Sequence, residues 1–434
     1  MIREYRNNTL YLDGVDTVEL AKKYGTPLYV MSRNSIAAKC AELRKDFLEK
    51  YQDTRVAYAC KAFCTLAMCK IIEKEGLGLD VVSGGELFTA IRAEFPAEKI
   101  EFNGNNKLRS ELELAIDYGV GRIIIDSIEE LSLVEQICKD KDKSINILFR
   151  LSPAIDMAGA THEYITTASK NSKFGISMEN QDIYHAIKSA EGSSHINFLG
   201  FHFHIGSQLM ENDSHMKAIK KVLSLVRNVH NDLGKEITEL NLGGGFGIKY
   251  LPEDDAKPFS YFLDPMMETI ESSFSEMQID RPTIVIEPGR SIVGEAGSTL
   301  YTIGTIKKIE DGKTFVSVDG GMTDNIRPGL YQSEYAGVVA NKTDDATTQT
   351  VDIAGKCCES TDILMRDTNI PDVEQGDIYA MFSTGAYGYA MANNYNKICK
   401  PAVVMVDNGK DDLIVKRQDY SELIQNDLIP ESLD

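Results

Sequence analysis

The feature that most constrains the fold is a regular alternation of short apolar runs with longer amphipathic stretches, which begins near residue 55. The longer stretches place apolar residues three and four positions apart, which predicts helices over 65–75, 86–94 and 215–233. Strands that alternate with helices form parallel sheets. Eight strands over about 250 residues are typical of a (β/α)8 barrel, which we predict over 36–290. The predicted strands are 55–60, 78–82, 100–103, 122–126, 145–150, 198–204, 239–242 and 283–287.

An open, doubly wound sheet is the structural alternative for the same alternation of strands and helices. Its dinucleotide-binding form requires a GxGxxG turn after the first strand. The segment "YACKAF" at 58–63 contains no such turn. The barrel is therefore the favoured interpretation.

After about residue 291 the pattern changes to strands joined by tight turns. Asp311-Gly312 marks a hairpin, and 345–360 and 400–420 have the same character. The N-terminal stretch 7–14 resembles these segments and is expected to add a strand to them, while a helix at 16–25 and the stretch 27–36 lead into the barrel. We predict an all-β domain that comprises 291–434 together with 1–35.

Polar residues and glycines follow every predicted barrel strand, at the end where barrel enzymes build their active sites. Isolated polar residues and turn glycines are common in loops, but this explanation does not easily cover all eight strand ends. In strand order, the residues are Lys61; Ser83, Gly84 and Gly85; Asn103 to Asn106; Asp126 and Ser127; Arg150; His204 to Ser207; Gly243, Gly244 and Gly245; and Glu287, Pro288, Gly289 and Arg290.

Lys61 ends an otherwise apolar, strand-like run, "VAYACKAF". A cation there is costly to bury unless it is paired or neutralised. The simplest explanation is a lysine that leaves the sheet and extends to water. The alternative is an amine that is bound covalently, as a Schiff base to a carbonyl cofactor.

The seventh and eighth strand ends favour the cofactor. Three consecutive glycines let backbone N–H groups approach an anion, and Arg290 adds a guanidinium. Loops after strands seven and eight form the recurrent phosphate site of barrels. A phosphate site beside a strand-end lysine indicates pyridoxal 5'-phosphate, with Glu287 holding the proton on its ring nitrogen. In such a site His204 lies against the ring and Ser207 binds the phosphate.

A zinc site built on His202 and His204 is the competing interpretation, but no third ligand follows at metal spacing, and we expect no metal. The eight cysteines form no CxxC framework and are expected to be reduced. A net charge of −20 argues against nucleic-acid and anionic-membrane surfaces. No apolar run is long enough for a signal peptide or a bilayer span, so we expect a cytoplasmic protein.

Together these segments resemble the diaminopimelate decarboxylase family, among the pyridoxal-phosphate decarboxylases with an alanine-racemase-like barrel. The resemblance covers nearly the whole chain. Its barrel motifs are "YACKAF" (58–63), "DVVSGGEL" (80–87), "FNGNNK" (102–107), "THEYITT" with "SKFGI" (161–176), "HFHIGSQ" (202–208), "NLGGGFG" (241–247) and "EPGRSIV" (287–293). Its motifs in the β domain are "DGGMTDNIRPGLY" (319–331), "AGKCCES" (354–360) and "GAYGYAMANNYN" (385–396).

The resemblance implies a role for each matching residue. Lys61 is the Schiff-base lysine and Cys358 the acid. The cofactor is held by the glycines 243–245, by Glu287, Pro288, Gly289 and Arg290, and by Tyr387. Substrate is bound by Arg290, Arg327, Tyr331, Glu359 and Tyr387. Thr361 departs from the family pattern, which has glycine before Asp362.

The expected reaction is decarboxylation of meso-2,6-diaminopimelate to L-lysine and CO2. The distal end of that substrate carries an ammonium and a carboxylate, which Glu359 and Arg327 can pair. A decarboxylase of ornithine, arginine or carboxynorspermidine is the nearest alternative; a racemase and a non-catalytic cofactor-binding homologue are more distant ones. The resemblance further implies a two-fold dimer in which Cys358, Glu359 and Asp362 complete the partner's active site.

Overall fold

The computed structural model describes residues 1–155, 172–178 and 181–433, and the motif "THEYITT" (161–167) lies outside them. The chain forms two compact units. The barrel unit comprises 38–248 and 255–292; the β unit comprises 1–37, 249–254 and 293–434. The domain limits expected from the sequence, 36–290 and 1–35 with 291–434, remain a prediction, which differs from the compact units chiefly at 249–254.

The strands alternate with helices through the barrel unit. The strands of both units are numbered together in chain order. The strands are β1 (Arg3–Arg6), β2 (Thr9–Leu12), β3 (Val15–Asp16), β4 (Leu28–Ser32), β5 (Thr54–Ala59), β6 (Gly78–Val81), β7 (Ile100–Phe102), β8 (Arg122–Ile125), β9 (Ile145–Ser152), β10 (Ile176–Ser177), β11 (Ile196–Phe203), β12 (Glu239–Asn241), β13 (Thr283–Ile286), β14 (Gly297–Lys308), β15 (Thr314–Val318), β16 (Gly337–Val339), β17 (Gln349–Ala354), β18 (Ile363–Ile370), β19 (Ile378–Phe382), β20 (Ala402–Asp407) and β21 (Lys410–Val415).

The α-helices are α1 (Thr17–Tyr24), α2 (Arg33–Leu43), α3 (Leu66–Lys74), α4 (Gly84–Arg92), α5 (Arg109–Tyr118), α6 (Ile128–Lys141), α7 (Asp182–Glu191), α8 (Asp213–Leu233), α9 (Phe259–Met277), α10 (Arg290–Val293) and α11 (Arg327–Tyr331). Across the described ranges, none of these helices combines the length and the apolar composition that a bilayer crossing requires.

The barrel unit is a closed parallel barrel. Strands β5, β6, β7, β8, β9, β11, β12 and β13 pair in that order, and β13 pairs with β5 to close the ring. These are the eight strands expected from the sequence, so the (β/α)8 prediction is confirmed. Because every strand is parallel to its neighbours, all eight carboxyl ends lie at one mouth of the barrel.

The barrel interior is unusually polar for a sheet buried on both faces. Glu101 on β7 accepts a hydrogen bond from Asn241 on β12, across the barrel, at 3.1 Å. Arg122 on β8 lies 3.1 Å from Glu239 on β12. Contacts between strands that are not neighbours must run through the interior. The side chains therefore form a buried polar layer below the mouth.

The β unit contains a sheet whose strands run in the order β18-β17-β15-β14-β4-β20-β21. The expected hairpins are confirmed: β14 pairs antiparallel with β15, and β20 with β21. The expectation for the N-terminus is wrong in detail. Thr9–Leu12 belongs to a separate three-stranded sheet, whereas Leu28–Ser32 inserts between β14 and β20. All five residues of β4 are buried, which explains its preference for a central position.

Candidate active site

Lys61 lies at the barrel mouth, in a 3-10 turn (Cys60–Ala62) that directly follows β5. Its neighbours Cys60 and Ala62 are fully buried, whereas Lys61 itself is partly exposed. The positive charge of Lys61 acts on Asp80, Glu86, Glu287, His202 and His204. The lysine is thus a cation whose charge acts on a group of acids and imidazoles, and its side chain is only partly exposed.

The glycine loop after β12 is tied to the loops beside it by backbone hydrogen bonds. Gly244 N–H donates to His204 Nδ1 at 3.2 Å, and Glu287 N–H donates to the Gly243 carbonyl at 2.7 Å. A Cβ on Gly244 would lie 2.1 Å from the Glu287 carbonyl oxygen. Gly243 and Gly245 have φ of +69° and +108°, which side chains rarely adopt. The three glycines are therefore required by the close approach of neighbouring backbone.

Arg290 and Ser207 form the second part of this anion site. Arg290 Nε and Nη2 lie 3.1 and 2.9 Å from Ser207 Oγ, and the arginine is buried. The pair joins the loop after β11 to the loop after β13. A buried guanidinium beside a hydroxyl and a glycine loop has the donor chemistry that a phosphate requires. The residues present therefore fit the phosphate of pyridoxal phosphate.

Glu287 is buried and receives hydrogen bonds from three side chains. Asn103 Nδ2 and Asn241 Nδ2 donate to its Oε1 at 3.0 and 2.9 Å. His202 Nε2 lies 3.0 Å from the carboxylate. Burial by itself would raise the pKa of Glu287, but His202 and the Lys61 charge outweigh it and lower the pKa below its usual range. Glu287 is therefore an anion, as a partner for a protonated ring nitrogen must be.

His204 is held as a neutral imidazole. Burial lowers its pKa well below the ordinary value, and the charges of Lys61 and Arg150 lower it further. Since Nδ1 accepts the Gly244 N–H, a neutral ring carries its proton on Nε2. His202 is engaged with Glu287 instead, so the two histidines that suggested a zinc site have separate partners.

Several of the polar residues noted at strand ends have a structural role. Ser83 Oγ caps α4 by accepting from Glu86 N–H, and Glu86 reaches back to Val82 N–H at 2.8 Å. Ser127 and Glu130 form the same arrangement at the start of α6. The pattern Ser-x-x-Glu could have revealed this N-terminal capping, although each glutamate accepts the N–H of the residue before the N-cap, unlike the glutamate of a capping box. Ser83 and Ser127 are therefore explained as loop residues that begin a helix.

In the β unit, Arg327 lies in an enclosure of tyrosines. Its Nε donates to Tyr335 Oη at 2.9 Å, and its guanidinium carbon lies 5.4 Å from the ring of Tyr331 and 5.5 Å from that of Tyr387. Arg327 is buried. Three of the predicted substrate-binding residues are thus brought together within this unit, around one fixed cation.

The Cys357-Cys358 pair lies in a bend after β17, with one thiol inward and one outward. Cys357 is buried and burial raises its pKa to about 11, whereas Cys358 is exposed. Cys358 N–H donates to Asn396 Oδ1 at 2.8 Å. Glu359 is exposed beside it. Of the two thiols, Cys358 is the exposed one, and its role as the acid stays a prediction.

Sequence reasoning missed the polar residues beneath the barrel mouth. Asp80, Glu101 and Asn241 were read only as parts of strands, although each contacts the network around Glu287. The available signal was an ionisable or amide residue inside a strand that should be apolar on both faces, as in "IEF" and "ELN".

The comparisons with known proteins agree with this site. A family model described as the pyridoxal binding domain of pyridoxal-dependent decarboxylases matches residues 33–294. Diaminopimelate decarboxylase of Bacillus subtilis is 45% identical over 98% of this chain and 97% of its own, and that of Bacillus methanolicus is 47% identical over 94% of each. The crystal structure of the M. jannaschii enzyme with L-lysine is 36% identical, with a TM-score of 0.93 over 99% of this chain and 98% of that one. This chain therefore belongs to the diaminopimelate decarboxylase family of pyridoxal-dependent decarboxylases.

Proposed function

We propose that this protein decarboxylates meso-2,6-diaminopimelate to L-lysine and CO2 with pyridoxal 5'-phosphate, which is the last step of lysine biosynthesis. The observation that carries the proposal is the barrel mouth, where a lysine, a buried anionic glutamate and a glycine–arginine anion site occur together in a chain that is 45% identical to a diaminopimelate decarboxylase. L-lysine, the expected product, is the ligand named for the M. jannaschii relative.

Each residue at the barrel mouth has one task in this scheme. Lys61 would hold the cofactor through its amine, and Ser207, Arg290 and the glycines 243–245 would bind its phosphate. Glu287 would pair with the ring nitrogen. When bound, the cofactor supplies a sink for the electron pair that the departing CO2 leaves on the substrate.

His204 has the properties of a neutral face for the cofactor ring. Its Nδ1 is occupied by the Gly244 N–H, so the imidazole is held in one orientation by the same loop that forms the phosphate cradle. A neutral ring adds no positive charge beside Lys61. It therefore leaves the amine free to exchange a proton.

The substrate's distal carboxylate would bind Arg327, and its distal ammonium would bind Glu359. Arg327 is suited to this task because Tyr335 and Ser333 fix its guanidinium at 2.9 and 3.1 Å while its ring contacts exclude water. Arg290, Tyr331 and Tyr387 are proposed as further substrate contacts, and Tyr387 also as a cofactor contact together with Pro288 and Gly289. Cys358 would return a proton to the α-carbon, because its thiol is exposed and the buried Cys357 thiol is not.

Product analysis tests the reaction and the substrate together. The holoenzyme is incubated separately with meso-diaminopimelate, ornithine, arginine and carboxynorspermidine, and the amine products and CO2 are quantified. We expect lysine from diaminopimelate and little product from the others. Preferential turnover of ornithine would contradict the proposal.

A variant of Lys61 tests the site. Lys61→Ala should lose both lysine production and the visible absorbance of the lysine-bound cofactor. Lys70→Ala is the matched control, because Lys70 is a partly exposed lysine on α3 that pairs with Glu73. A Lys61→Ala protein that retains both properties would show that the cofactor is held elsewhere.

We further propose a homodimer with shared active sites and a cytoplasmic location. The homodimer rests on the division of the predicted residues between the two units. Lys61 and Glu287 belong to the barrel unit, and Cys358 and Glu359 belong to the β unit. The cytoplasmic location is supported by the eight cysteines, all of which are free, as is usual in a reducing compartment.

A further inference from the structure

Three carboxyl groups meet inside the barrel below Lys61. Asp80 on β6 and Glu101 on β7 are fully buried, and Glu287, after β13, is nearly so. Carboxylate oxygens of the three lie within 4.8 Å of one another. Three negative charges at this separation, out of contact with water, would repel strongly. The arrangement therefore raises the question of which of the three is ionised.

Hydrogen-bond donors are shared unequally among the three acids. Glu287 accepts side-chain hydrogen bonds from Asn103, Asn241 and His202, as described above. Among the described residues, Asp80 accepts a side-chain hydrogen bond only from Asn103, at 2.7 Å, and Glu101 only from Asn241, at 3.1 Å. Asp80 Oδ2 and Glu101 Oε2 are buried and accept no hydrogen bond within the described part of the chain. An anionic carboxylate needs several donors, so the distribution favours the charge on Glu287.

The orientation of one bridging amide is fixed independently. Gly243 N–H donates to Asn241 Oδ1 at 2.9 Å, so the NH2 group of Asn241 must face the acids. Asn241 then donates to both Glu101 and Glu287. The NH2 group of Asn241 therefore bridges the two carboxyl groups. The amide oxygen faces away and cannot accept a hydrogen bond from either of them.

The surrounding charges do not neutralise two further anions. Arg122 Nη1 lies 3.8 Å from Glu101, beyond hydrogen-bond distance, while Arg122 Nε lies 3.1 Å from Glu239, which also pairs with Arg55. The other charged or titratable groups that act on the three acids are Lys61 after β5, Glu86 on α4, Arg150 on β9 beside Asp126, and His202 and His204 on β11.

The pKa directions agree with the donor count. Burial raises the pKa of Asp80 and of Glu101 well above the ordinary value, and the neighbouring Glu287 raises both further. Burial lowers the pKa of His202, and the neighbouring Glu287 opposes this shift. Glu287 is the member of the group whose pKa is lowered.

We propose that Asp80 and Glu101 both keep their protons at neutral pH, so that the three acids carry one negative charge, held on Glu287. The two protonated acids are positioning residues: they fill the space below Glu287 and add no charge that would compete for a proton on the cofactor ring. The proposal rests on the proposed function, in which Glu287 faces that ring. No proton is transferred; two carboxylic acids remain protonated and one carboxylate remains ionised.

Infrared spectroscopy of the cofactor-free protein tests the charge states directly. Wild-type protein at pH 8 should show carbonyl absorption of protonated carboxylic acids, and Asp80→Asn and Glu101→Gln should each remove part of it. Glu113→Gln, at an exposed carboxyl that pairs with Arg109, is the control and should remove carboxylate absorption only. Absence of the protonated-acid absorption from wild-type protein overturns the proposal, whether or not the variants fold. Loss of carboxylate absorption in Asp80→Asn or Glu101→Gln overturns it as well.

Cofactor affinity of the same apoproteins tests the positioning role. Glu101→Leu should weaken pyridoxal phosphate binding at least tenfold, and Glu101→Gln, which keeps a neutral hydrogen-bonding group, should recover most of that loss. If Glu101→Gln bound pyridoxal phosphate as weakly as Glu101→Leu, the charge of Glu101 would be required, which contradicts the proposal. Glu287→Gln should weaken binding too. If Glu287→Gln bound pyridoxal phosphate as tightly as wild type, the role of Glu287 in the proposed function would be contradicted. The infrared result on the charge states of Asp80 and Glu101 would still stand by itself.

Discussion

At the scale of single residues, burial decides which groups around Lys61 carry charge. His204 is a partly exposed imidazole kept neutral by desolvation and by the charges of Lys61 and Arg150, whereas Glu287 is a buried carboxyl kept ionised by its partners. The His204 ring accepts a backbone N–H, whereas Glu287 receives three side-chain donors. Desolvation favours the neutral form of both groups; it prevails at His204 and is overcome at Glu287 by hydrogen bonds and neighbouring charge.

Glu86 gives a prediction for pH dependence. Burial raises its pKa from 4.5 to about 7, despite the Val82 N–H that it accepts. Between these values the unfolded chain binds fewer protons than the folded chain, so the free energy of unfolding falls as pH rises. Glu86→Gln removes the titrating carboxyl, and with it this fall in the free energy of unfolding. Relative to wild type, the variant should gain up to about 3 kcal/mol on going from pH 4.5 to pH 8.

Denaturant unfolding of the cofactor-free protein at the two pH values measures this difference. Glu73→Gln is the comparison, since Glu73 is a helix glutamate that is partly exposed. An equal stability difference between Glu86→Gln and wild type at both pH values would show that Glu86 is ionised in the folded protein.

At the scale of elements, the loops after the strands have two different tasks. The loop after β12 is proposed as an anion cradle, and its glycines allow close backbone approach, while the loops after β6 and β8 begin helices with an N-cap serine. Both kinds of loop read as polar or glycine-rich in the sequence. They differ because the serines of one kind cap a helix, whereas the glycines of the other allow close approach of neighbouring backbone.

Gly244→Ala tests the cradle. Its new Cβ would lie 2.1 Å from the carbonyl oxygen of Glu287 and 2.9 Å from the carbonyl carbon, and neither backbone atom can move without displacing the strand end. We expect pyridoxal phosphate affinity to fall at least tenfold, which is about 1.4 kcal/mol. In Gly85→Ala the nearest atom is 3.8 Å away, so this control should bind normally and be more stable by about 0.5–1 kcal/mol. Equal affinities for the two variants would refute the cradle.

Ser83→Ala tests the capping role. Loss of the hydroxyl removes the acceptor for Glu86 N–H and should destabilise the protein by about 1 kcal/mol. The affinity for cofactor should stay the same, because Ser83 is assigned to the helix and not to the site. Thermal unfolding and a cofactor titration measure the two quantities. A variant that keeps its stability but loses affinity would place Ser83 among the binding residues.

At the scale of the whole molecule, the predicted catalytic residues are divided between two compact units. The barrel unit contains Lys61, His204 and Glu287, and the β unit contains Cys358 and Glu359. A two-fold dimer in which each β unit serves the other chain's barrel is one way to complete two equal sites. This arrangement can be tested without a structure of the complex.

Mixed dimers provide that test. Lys61→Ala and Cys358→Ala chains should each be inactive as homodimers. After subunit exchange, random pairing gives half heterodimers with one intact site of two, so activity should return to about a quarter of wild type. Lys70→Ala mixed with Cys358→Ala shows whether exchange itself impairs activity. A mixture that stays inactive while subunits demonstrably exchange would mean that Cys358 acts within its own chain.

The sequence by itself determined the elements and the position of the lysine. Eight apolar runs alternating with helical patterns were enough to predict the barrel, because strand and helix periodicities are local properties. The hairpin at Asp311-Gly312 was predictable for the same reason. Lys61 could be placed at the mouth because parallel strands bring their carboxyl ends together.

Only the tertiary structure decided which distant residues meet. Leu28–Ser32 was expected only to lead into the barrel, and its place between β14 and β20 depends on partners about 270 and 375 residues away. Asp80, Glu101 and Glu287 likewise come from separate strands, and nothing near any of them in the chain indicates the other two. Local patterns fix local conformation, whereas burial and the count of donors, which set the charge of each acid, are properties of the closed barrel.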